Sequence, residues 1–519
     1  MNTYDETTYP SYAYDYTAPE RMGAIGRLFG MVPHDLENAR VLEIGCASGG
    51  NILPMAARYP NATFVGIDYS AVQIDLAEKA AAAMNLDNVT FHAKSILNIK
   101  LKNEKFDFII AHRVYSWVPE VVRKRILEIC GDNLSRKGVA YISYNTLPGW
   151  NSVKTIRDMM LYHGRNFSDP SQKVLEARRM LNFVSENIQA SAGPHKQLME
   201  YEIKTLQDVD DNYLLHDHLE ATNDPCYFHE FIDQAKKQGL QYLADAELPT
   251  MYLGNHTDQV SSTLMQLNSN IEQEQYLDFI NNRRFRMTLL THDNVELKRN
   301  VDISSIESLL FSPNFALKDA GSINVVTSVE SLDMVSVNNA EVTATLTGKI
   351  ECACYIELLK AAPVPRSLDD IVKSAVKILN NESEKDIRSV FGAMVLQMIF
   401  KGMLSITSGE PGFTKNIADK PEIFPPARVQ AMTLVTIPNM LHQMVKLSDD
   451  QRVVAQYVTG ENTKEQIISA LEEHINKGEL TINADGNAIE KGSDDMEKYL
   501  PQYIDAQLSF FANNALLVA

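Results

Sequence analysis

The chain has no excess of positive charge, and this absence argues against a nucleic-acid partner. Its 519 residues include 67 Asp and Glu against 48 Lys and Arg, which gives a formal net charge of −19. Neutralising nucleic-acid phosphates requires clustered Lys and Arg, so we expect no nucleic-acid binding. An acidic balance promotes solubility or attracts a basic, Lys-rich substrate, and of the two we favour solubility.

Long apolar runs are absent as well. No stretch of eighteen apolar residues occurs, so we expect no membrane span. The first six residues, MNTYDE, have neither the basic start nor the apolar run of a signal peptide. With only five cysteines in the chain, a reducing compartment is favoured, and we expect a cytoplasmic protein.

The sequence also lacks a metal-binding signature. Cys352 and Cys354 are close together, but they have no second pair and no nearby His. We therefore predict no metal site. Four histidines match no ligand spacing and are expected at the surface or as caps: His195, His216, His218 and His229.

Tyrosine, in contrast, is concentrated at the N-terminus. Five tyrosines, at positions 4, 9, 12, 14 and 16, precede Pro19. Because disordered segments are poor in aromatic residues, we expect this segment to fold back onto the protein. It could pack against the core, or it could cover a ligand with Tyr9, Tyr16 or Thr17 in contact. The sequence leaves both possibilities open.

Residues 40–145 alternate between apolar strands and amphipathic helices. Strands are predicted at 41–44, 63–67, 89–92, 106–111 and 139–144, and helices at 51–59, 71–84 and 119–133. This alternation predicts an α/β fold with a doubly wound, Rossmann-like parallel sheet. A ligand of such a sheet binds at the carboxyl ends of its strands.

The remaining sequence predicts mostly helices, together with a part that mixes helices and strands. We divide the protein into a sheet domain (1–165), a helical region (166–240), a middle α+β domain (241–350) and a C-terminal helical, winged-helix-like domain (351–519).

A turn of small residues follows the first predicted strand. Glu43 precedes Gly45, and Ala47 and Gly49 keep the turn small, so that a ligand can approach the backbone. The next helix, beginning near Asn51, directs its free N–H groups to the same place. A pyrophosphate site would favour Gly-x-Gly-x-x-Gly. The observed Glu-x-Gly-x-x-x-Gly, with an acid before the first Gly, is better suited to a cationic amino-acid ligand.

An acidic residue lies at the end of the second predicted strand. Asp68 lies 23 positions after Gly45, where a carboxylate can accept hydrogen bonds from ribose hydroxyls. The alternative, a glycine turn followed by a helix-capping Asp, is less favoured. Cys46, within the turn, is expected to be a small buried residue rather than a nucleophile.

These motifs resemble a known family. Residues 40–70 resemble class I S-adenosylmethionine-dependent methyltransferases. Residues 106–119 (FDFIIAHRVYSWVP), 138–150 (GVAYISYNTLPGW), 157–163 (RDMMLYH) and 283–292 (RRFRMTLLTH) resemble bacterial methyltransferases with a methyltransferase regulatory domain. That group includes the rickettsial-type lysine methyltransferases of outer-membrane proteins.

The resemblance implies that S-adenosylmethionine is the cofactor. Together with the turn and strand-end residues, it predicts a set of cofactor contacts: Glu43, Gly45, Cys46, Ala47, Gly49, Asn51, Asp68, Tyr69, Ser95, Ile96, His112, Tyr9 and Thr17.

The sequence departs from the family in three places. Thr17-Ala18-Pro19 stands where the family has Thr-His-Pro, and His112-Arg113 stands where it has His-Gly. The second departure leaves an Arg on the substrate side, where it can alter the choice of acceptor. The third is Lys94-Ser95-Ile96, at a position where many class I enzymes carry an acid. We expect the Ser95 hydroxyl or backbone N–H to bind the adenine and Ile96 to pack on its ring.

The acceptor is expected beside the loops after the fourth and fifth strands. A lysine acceptor must first lose a proton, against a normal pKa of about 10.4. Desolvation favours the neutral amine, and aromatic faces tolerate the cations before and after transfer. The polar and aromatic residues of these loops form the predicted catalytic set: His112, Tyr115, Trp117, Asn145 and Trp150. For the two Trp, core and pocket roles are equally favoured.

The resemblance further implies a protein-lysine N-methyltransferase acting on a bacterial, outer-membrane or surface protein. It also implies a homodimer with a contact surface near residues 151–230. Two alternatives remain open from the sequence: a methyltransferase for a small molecule, and a binding protein that senses S-adenosylmethionine.

Overall fold

A seven-stranded sheet forms the centre of the N-terminal half. The computed structural model describes residues 11–32, 34–189, 192–318, 330–379, 382–484, 487–488 and 494–519. The strands of this sheet are β1 (Arg40–Ile44), β2 (Thr63–Asp68), β3 (Val89–Ala93), β4 (Phe106–Ala111), β5 (Leu134–Asn145), β6 (Leu240–Asp245) and β7 (Phe285–His292). Their order is β3-β2-β1-β4-β5-β7-β6.

The first five strands are parallel and confirm the predicted doubly wound α/β fold. Helices α1 (Pro19–Leu28), α2 (Ile52–Arg58), α3 (Ala71–Ala83) and α4 (Glu120–Asn133) accompany them. The strand order reverses between β1 and β4, which are neighbours in the sheet although β2 and β3 separate them in the chain. In open α/β sheets this reversal opens a crevice at the carboxyl ends, which is where ligands bind.

The sheet continues past residue 165. β7 pairs antiparallel with β5, from Ala140 opposite Leu290 to Asn145 opposite Phe285. β6 in turn pairs antiparallel with β7 and forms the edge. The sheet therefore takes its last two strands from beyond the first predicted domain boundary, and the division of the chain into four domains stays a prediction.

Between β5 and β6 the chain is helical. The helices are α5 (Trp150–Gly164), α6 (Pro170–Asn187), α7 (Pro194–Gln207), the single turn α8 (Asp211–Tyr213) and α9 (Phe228–Lys236). α5, α6 and α7 share a core that contains Ile156, Val174 and Ile203. α10 (Asp258–Leu264) and α11 (Asn270–Asn281) lie between β6 and β7 in the chain.

A π-helical turn follows α8 directly and spans Leu214–His218. It corrects the expectation that His216 and His218 lie at the surface, because both are buried. The turn directs these side chains inward, and the Trp150 ring stacks on His218 at 6.0 Å between ring centroids. His195 and His229 are exposed, as expected.

The C-terminal half contains smaller sheets, and its described helices contribute to two hydrophobic cores. Its elements are β8 (Leu310–Pro313), β9 (Phe315–Leu317), β10 (Ser331–Ser336), β11 (Thr343–Thr347), α12 (Lys349–Ala361), β12 (Arg366–Ser367), α13 (Leu368–Ile378), α14 (Glu384–Phe400), β13 (Leu404–Thr407), α15 (Pro425–Ala431), β14 (Thr436–Pro438), β15 (Met444–Lys446), α16 (Asp449–Tyr457), α17 (Lys464–Lys477), β16 (Asn483–Ala484), β17 (Asn487–Ala488) and α18 (Asp494–Asn513). α12–α14 share the large core of the sheet domain, whereas α15–α18 enclose a core of their own around Leu471 and Ile504. Within the described residues, no helix is both long and apolar enough to cross a membrane.

One buried cation fastens α11 to β7. The Arg286 side chain is fully buried, and its Nε and Nη2 donate to the Asp278 carboxylate at 2.8 and 2.9 Å. Its Nη1 donates to Glu274 Oε2 at 3.0 Å, and the guanidinium lies 3.7 Å from the ring centroid of Phe228. The guanidinium of Arg286, with Arg283 Nη1 at 4.0 Å from Asp278 Oδ1, therefore compensates the two carboxylates inside the protein, where an unpaired charge is costly.

We predict that Arg286→Ala lowers the free energy of unfolding by about 3–5 kcal/mol, because Glu274 and Asp278 would stay buried without their cation. Urea-induced unfolding followed by circular dichroism measures this change. Arg388→Ala is the matched control: it breaks an exposed pair with Asp369 and should cost about 1 kcal/mol or less. Equal losses in the two variants would contradict the structural role of Arg286.

Candidate active site

A cavity of about 580 Å³ opens at the carboxyl ends of β1, β2 and β4. Its size is that of a small-molecule site. Most of the predicted contacts line it: Glu43, Gly45, Cys46, Ala47, Asn51, Asp68, Tyr69, Ser95, Ile96, His112 and Trp117. The carboxyl ends of the parallel strands therefore bring these residues together around one cavity.

The turn after β1 shapes the floor of the cavity. Gly45 and Ala47 both have positive φ, at 76° and 45°, and a Cβ on Gly45 would lie only 2.5 Å from the Val114 side chain. The Asp68 carboxylate holds the turn by accepting a hydrogen bond from the Ala47 N–H at 2.9 Å. Gly49, at φ 82°, supports the turn against Leu53 but does not line the cavity.

Glu43 places a buried carboxylate in the cavity wall. Its Oε1 accepts from Asn51 Nδ2 at 2.7 Å, whereas its Oε2 is buried with no hydrogen-bond partner. Burial, together with the nearby charge of Asp68, raises the pKa of Glu43 to about 8, although the Asn51 hydrogen bond opposes this shift. A cationic ligand group beside Oε2 would supply the missing partner.

The N-terminal segment folds back over the turn. Ser11 Oγ accepts from the Gly50 N–H at 2.7 Å, and a Cβ on Gly50 would lie 2.1 Å from the Ser11 carbonyl oxygen. Ser11, Tyr12 and Tyr14 line the cavity. Thr17 is buried beside it, where its hydroxyl donates to Asn51 Oδ1 at 3.0 Å, and Tyr9 lies outside the described residues.

One wall follows β2 and β3. Tyr69, which is largely exposed, and Ile96, which is buried, come from the ends of these strands. Ser95 lies between Lys94 and Ile96 on the same wall. This arrangement brings together the side chains predicted to contact the ribose and the adenine, and those individual roles stay predictions.

His112 contributes a neutral imidazole. Its Nδ1 lies 2.9 Å from the Tyr141 hydroxyl, and its Nε2 is buried without a partner. Burial, with a smaller effect from the charge of Arg113, lowers the pKa of His112 to about 3, so that the ring carries no charge at neutral pH. The Tyr14 ring covers it at 4.0 Å between centroids.

The far end of the cavity is formed by the loop after β4 and by the π-helical turn. Arg113 Nη1 lies 3.4 Å from Asp217 Oδ2, and His216 Nδ1 lies 3.5 Å from Glu220 Oε1. Trp117 lines the same cavity. No motif in the sequence indicates His216, Asp217 or Glu220 as site residues. They lie about a hundred residues beyond β4. The π-helical turn that carries His216 and Asp217 has no simple sequence signature, although such turns occur often at functional sites.

Three of the residues predicted to surround the acceptor lie elsewhere. Tyr115 packs edge-on against Phe231 at 5.2 Å, and Asn145 Nδ2 donates to Asn223 Oδ1 at 2.9 Å. Trp150 begins α5 and stacks on His218. None of the three lines the cavity. A position just after a strand brings a residue near the sheet edge, but it does not determine the direction of its side chain.

The cavity suits a cofactor that carries both a cationic amino-acid group and a nucleoside. Two buried polar atoms in its wall, Glu43 Oε2 and His112 Nε2, lack a partner within the protein. Such groups are costly unless a ligand or water satisfies them. In the part of the chain that the structure describes, no group of three or more His, Cys, Asp or Glu side chains is arranged to hold a metal ion.

Three segments of the chain match known protein families. Residues 35–183 match a methyltransferase domain, and residues 210–292 match a domain described as a predicted methyltransferase regulatory domain. Residues 419–516 match the PKMT C-terminal winged helix domain. The second segment contains the π-helical turn, and the third contains α15–α18.

Individual relatives extend over the whole chain. The uncharacterized protein RP789 of Rickettsia prowazekii is 38% identical over 523 residues, covering 100% of this chain and 94% of that protein. The structure of PKMT2 from Rickettsia typhi matches with a TM-score of 0.89 and 31% identity, covering 98% of this chain and 100% of PKMT2. PKMT2 is also known in complex with AdoHcy, and that structure matches with the same TM-score and 32% identity.

The protein is thus an enzyme whose methyl donor is S-adenosylmethionine. It belongs to the family of S-adenosylmethionine-dependent methyltransferases that join a methyltransferase domain to a methyltransferase regulatory domain and a PKMT C-terminal winged helix domain, the family of PKMT2 from Rickettsia typhi.

Proposed function

We propose that the protein is a protein-lysine N-methyltransferase whose acceptor is a bacterial protein, destined for the outer membrane or the cell surface. The observation that carries this proposal is the far end of the cavity. Apolar side chains, including Val118, Val122 and Trp117, line the same cavity as the carboxylates of Asp217 and Glu220. An aliphatic stem with a cationic tip, which is the shape of lysine, complements such a lining.

The residues at this end act on the acceptor in two ways. The carboxylates of Asp217 and Glu220 attract a protonated lysine into the cavity, and Arg113 holds one of them in place through its contact with Asp217. The apolar wall around Trp117 then excludes water, which lowers the pKa of the lysine and favours the neutral, nucleophilic amine. S-adenosylmethionine supplies the methyl group as an electrophile on a sulfonium centre.

The residues around the methyl donor bind the cofactor rather than the acceptor. We assign the Glu43 carboxylate to the ammonium group and the Asp68 carboxylate to the ribose of the cofactor. The neutral His112 adds no positive charge beside a sulfonium, and the Tyr14 ring that covers it offers a π-face that attracts a cation. This separation of binding and acceptor groups supports transfer rather than cofactor sensing.

The net charge of −19, which we attribute mainly to solubility, also attracts the Lys-rich surface of a basic protein acceptor over a long range. All five cysteines are free thiols, which supports action in the cytoplasm before the acceptor is exported.

We further propose a homodimer formed through the helical region. Large apolar side chains on α5, α6 and α7 are strongly exposed: Tyr162 at 67%, Phe183 at 61% and Tyr201 at 61%. Sedimentation equilibrium should give twice the mass of the chain. The double variant Phe183→Asp/Tyr201→Asp should give the mass of one chain, and a wild-type protein that sediments as a monomer would contradict this proposal.

The acceptor assignment predicts different consequences for the two tryptophans. Trp117→Ala should reduce methyl transfer about tenfold, equivalent to ~1.4 kcal/mol, while leaving AdoHcy affinity nearly unchanged, because Trp117 faces the acceptor. Trp150→Ala is the matched control. It removes a side chain that lies outside the cavity and should mainly lower the melting temperature.

Transfer is measured with S-adenosylmethionine labelled in its methyl group and a bacterial lysate, followed by amino-acid analysis of the labelled protein. Labelled methyl-lysine supports the proposal. Label confined to small molecules would indicate a metabolite enzyme, and cofactor binding without transfer would indicate a sensor. Either result would overturn the lysine assignment.

The protonation of Glu43 predicts a pH dependence of binding. Below pH 8 the ligand-free carboxyl holds a proton, which must leave when the cationic ammonium group binds. AdoHcy affinity should therefore rise between pH 6 and pH 8, by up to about tenfold per pH unit, and then level off. Calorimetric titration at several pH values measures this rise.

Glu43→Gln should remove the pH dependence and weaken binding at pH 8. Glu78→Gln, which changes an exposed residue on α3, is the matched control and should keep the wild-type profile. An affinity that does not change between pH 6 and pH 8 in the wild-type protein would refute the assignment of Glu43.

A further inference from the structure

A histidine of the C-terminal domain contacts Asn51, a residue in the wall of the cofactor cavity. His442 lies in the loop between β14 and β15, within the segment that matches the winged helix domain. Although the loop lies 391 positions from Asn51 in the chain, His442 Nε2 is 2.7 Å from Asn51 Oδ1. The side chain is buried, and its backbone has a φ of 59°, a conformation that non-glycine residues rarely adopt.

The contact is one of several that fix which way the Asn51 side chain faces. Asn51 Oδ1 also accepts a hydrogen bond from the Tyr14 N–H at 3.0 Å, and it shares the single proton of the Thr17 hydroxyl, 3.0 Å away, with the Tyr14 carbonyl oxygen at 2.8 Å. Because these donors converge on the oxygen, the amide nitrogen must face the other way, toward Glu43 Oε1. His442 takes part as a donor, so its Nε2 carries the proton. Its burial lowers the pKa to about 3 and keeps the ring neutral.

A second contact holds the other end of α2. Arg58, the last residue of this helix, donates from Nη1 to the Met440 carbonyl at 2.7 Å and from Nη2 to the Glu410 carbonyl at 2.8 Å. It also forms a buried ion pair with Glu20 of α1. The helix that begins directly after Asn51 is therefore held at both ends by the C-terminal half of the chain.

We propose that the C-terminal winged helix domain is part of the cofactor site: His442 is a positioning residue that orients the Asn51 amide and, through it, the Glu43 carboxylate. The inference rests on the assignment of Glu43 to the cofactor. Docking of this domain and binding of the cofactor then stabilise each other, because a coupling between two equilibria is reciprocal.

Three variants of the full chain test the role of His442. His442→Ala should weaken AdoHcy binding about 5–10-fold in a calorimetric titration, because Asn51 loses a donor that fixes its orientation. His442→Gln should bind within about twofold of wild type, because the Gln Nε2 can donate from a similar position. His474→Ala is the matched control: it removes another histidine of the same domain, one that pairs with Tyr457 and Glu479, and should leave affinity unchanged.

The reciprocal effect is measured on the unaltered protein. Adding AdoHcy should slow amide hydrogen exchange in residues 439–446 at least about threefold, as expected when a ligand stabilises a docked segment. This measurement decides the matter even if His442→Ala fails to fold. Unchanged exchange in these residues would overturn the coupling.

A failure of the inference can be told apart from a failure of the cofactor site. Asp68→Ala should weaken AdoHcy binding about tenfold or more, whereas Asp75→Ala, at an exposed position on α3, should not. Wild-type affinity in His442→Ala together with weak binding in Asp68→Ala would overturn the role of His442 alone. Wild-type affinity in both would overturn the cofactor site as well.

Discussion

The fixed orientation of one buried amide connects the parts of this protein that form its cofactor cavity. Asn51 Oδ1 accepts hydrogen bonds from the N-terminal segment and from His442, and its nitrogen donates to Glu43. An amide turned the other way would place its NH₂ group against those donors and leave buried groups unsatisfied. The N-terminal segment, the turn after β1 and the C-terminal domain therefore depend on one hydrogen-bond arrangement.

The electrostatics of the cavity follow from burial. Glu43 and His112 are both buried, and the neutral form of each is favoured in the absence of ligand, the carboxyl with a pKa of about 8 and the imidazole with a pKa of about 3. Each also keeps one polar atom without a partner in the cavity wall. A cationic cofactor changes the protonation state of Glu43 only. A nearby cation stabilises the carboxylate, whereas it disfavours the charged imidazolium form of His112. Binding and proton release are thereby linked at one residue, while His112 stays neutral throughout.

The sequence predicted those site residues that directly follow a strand of the parallel sheet. The turn Glu43–Gly49 and Asp68 could be interpreted because the carboxyl ends of parallel strands converge, and the structure places them around one cavity, with Gly49 just outside its lining. Asn145 also follows a strand but lies outside the cavity lining, because its side-chain direction depends on a packing partner far along the chain, Asn223. Asp217 and His442 could not be predicted from strand ends. Asp217 lies in a π-helical turn, and His442 lies in a loop of another domain, 391 positions from Asn51 in the sequence.

The central claim is that His442 acts on the cofactor through Asn51 and Glu43. A double-mutant cycle of AdoHcy affinity with Glu43→Gln and His442→Ala tests it most directly, because residues that act in series lose their effect together. We predict that the double variant binds no more weakly than Glu43→Gln alone. Additive losses in the double variant would show that His442 acts independently of Glu43 and would contradict the account.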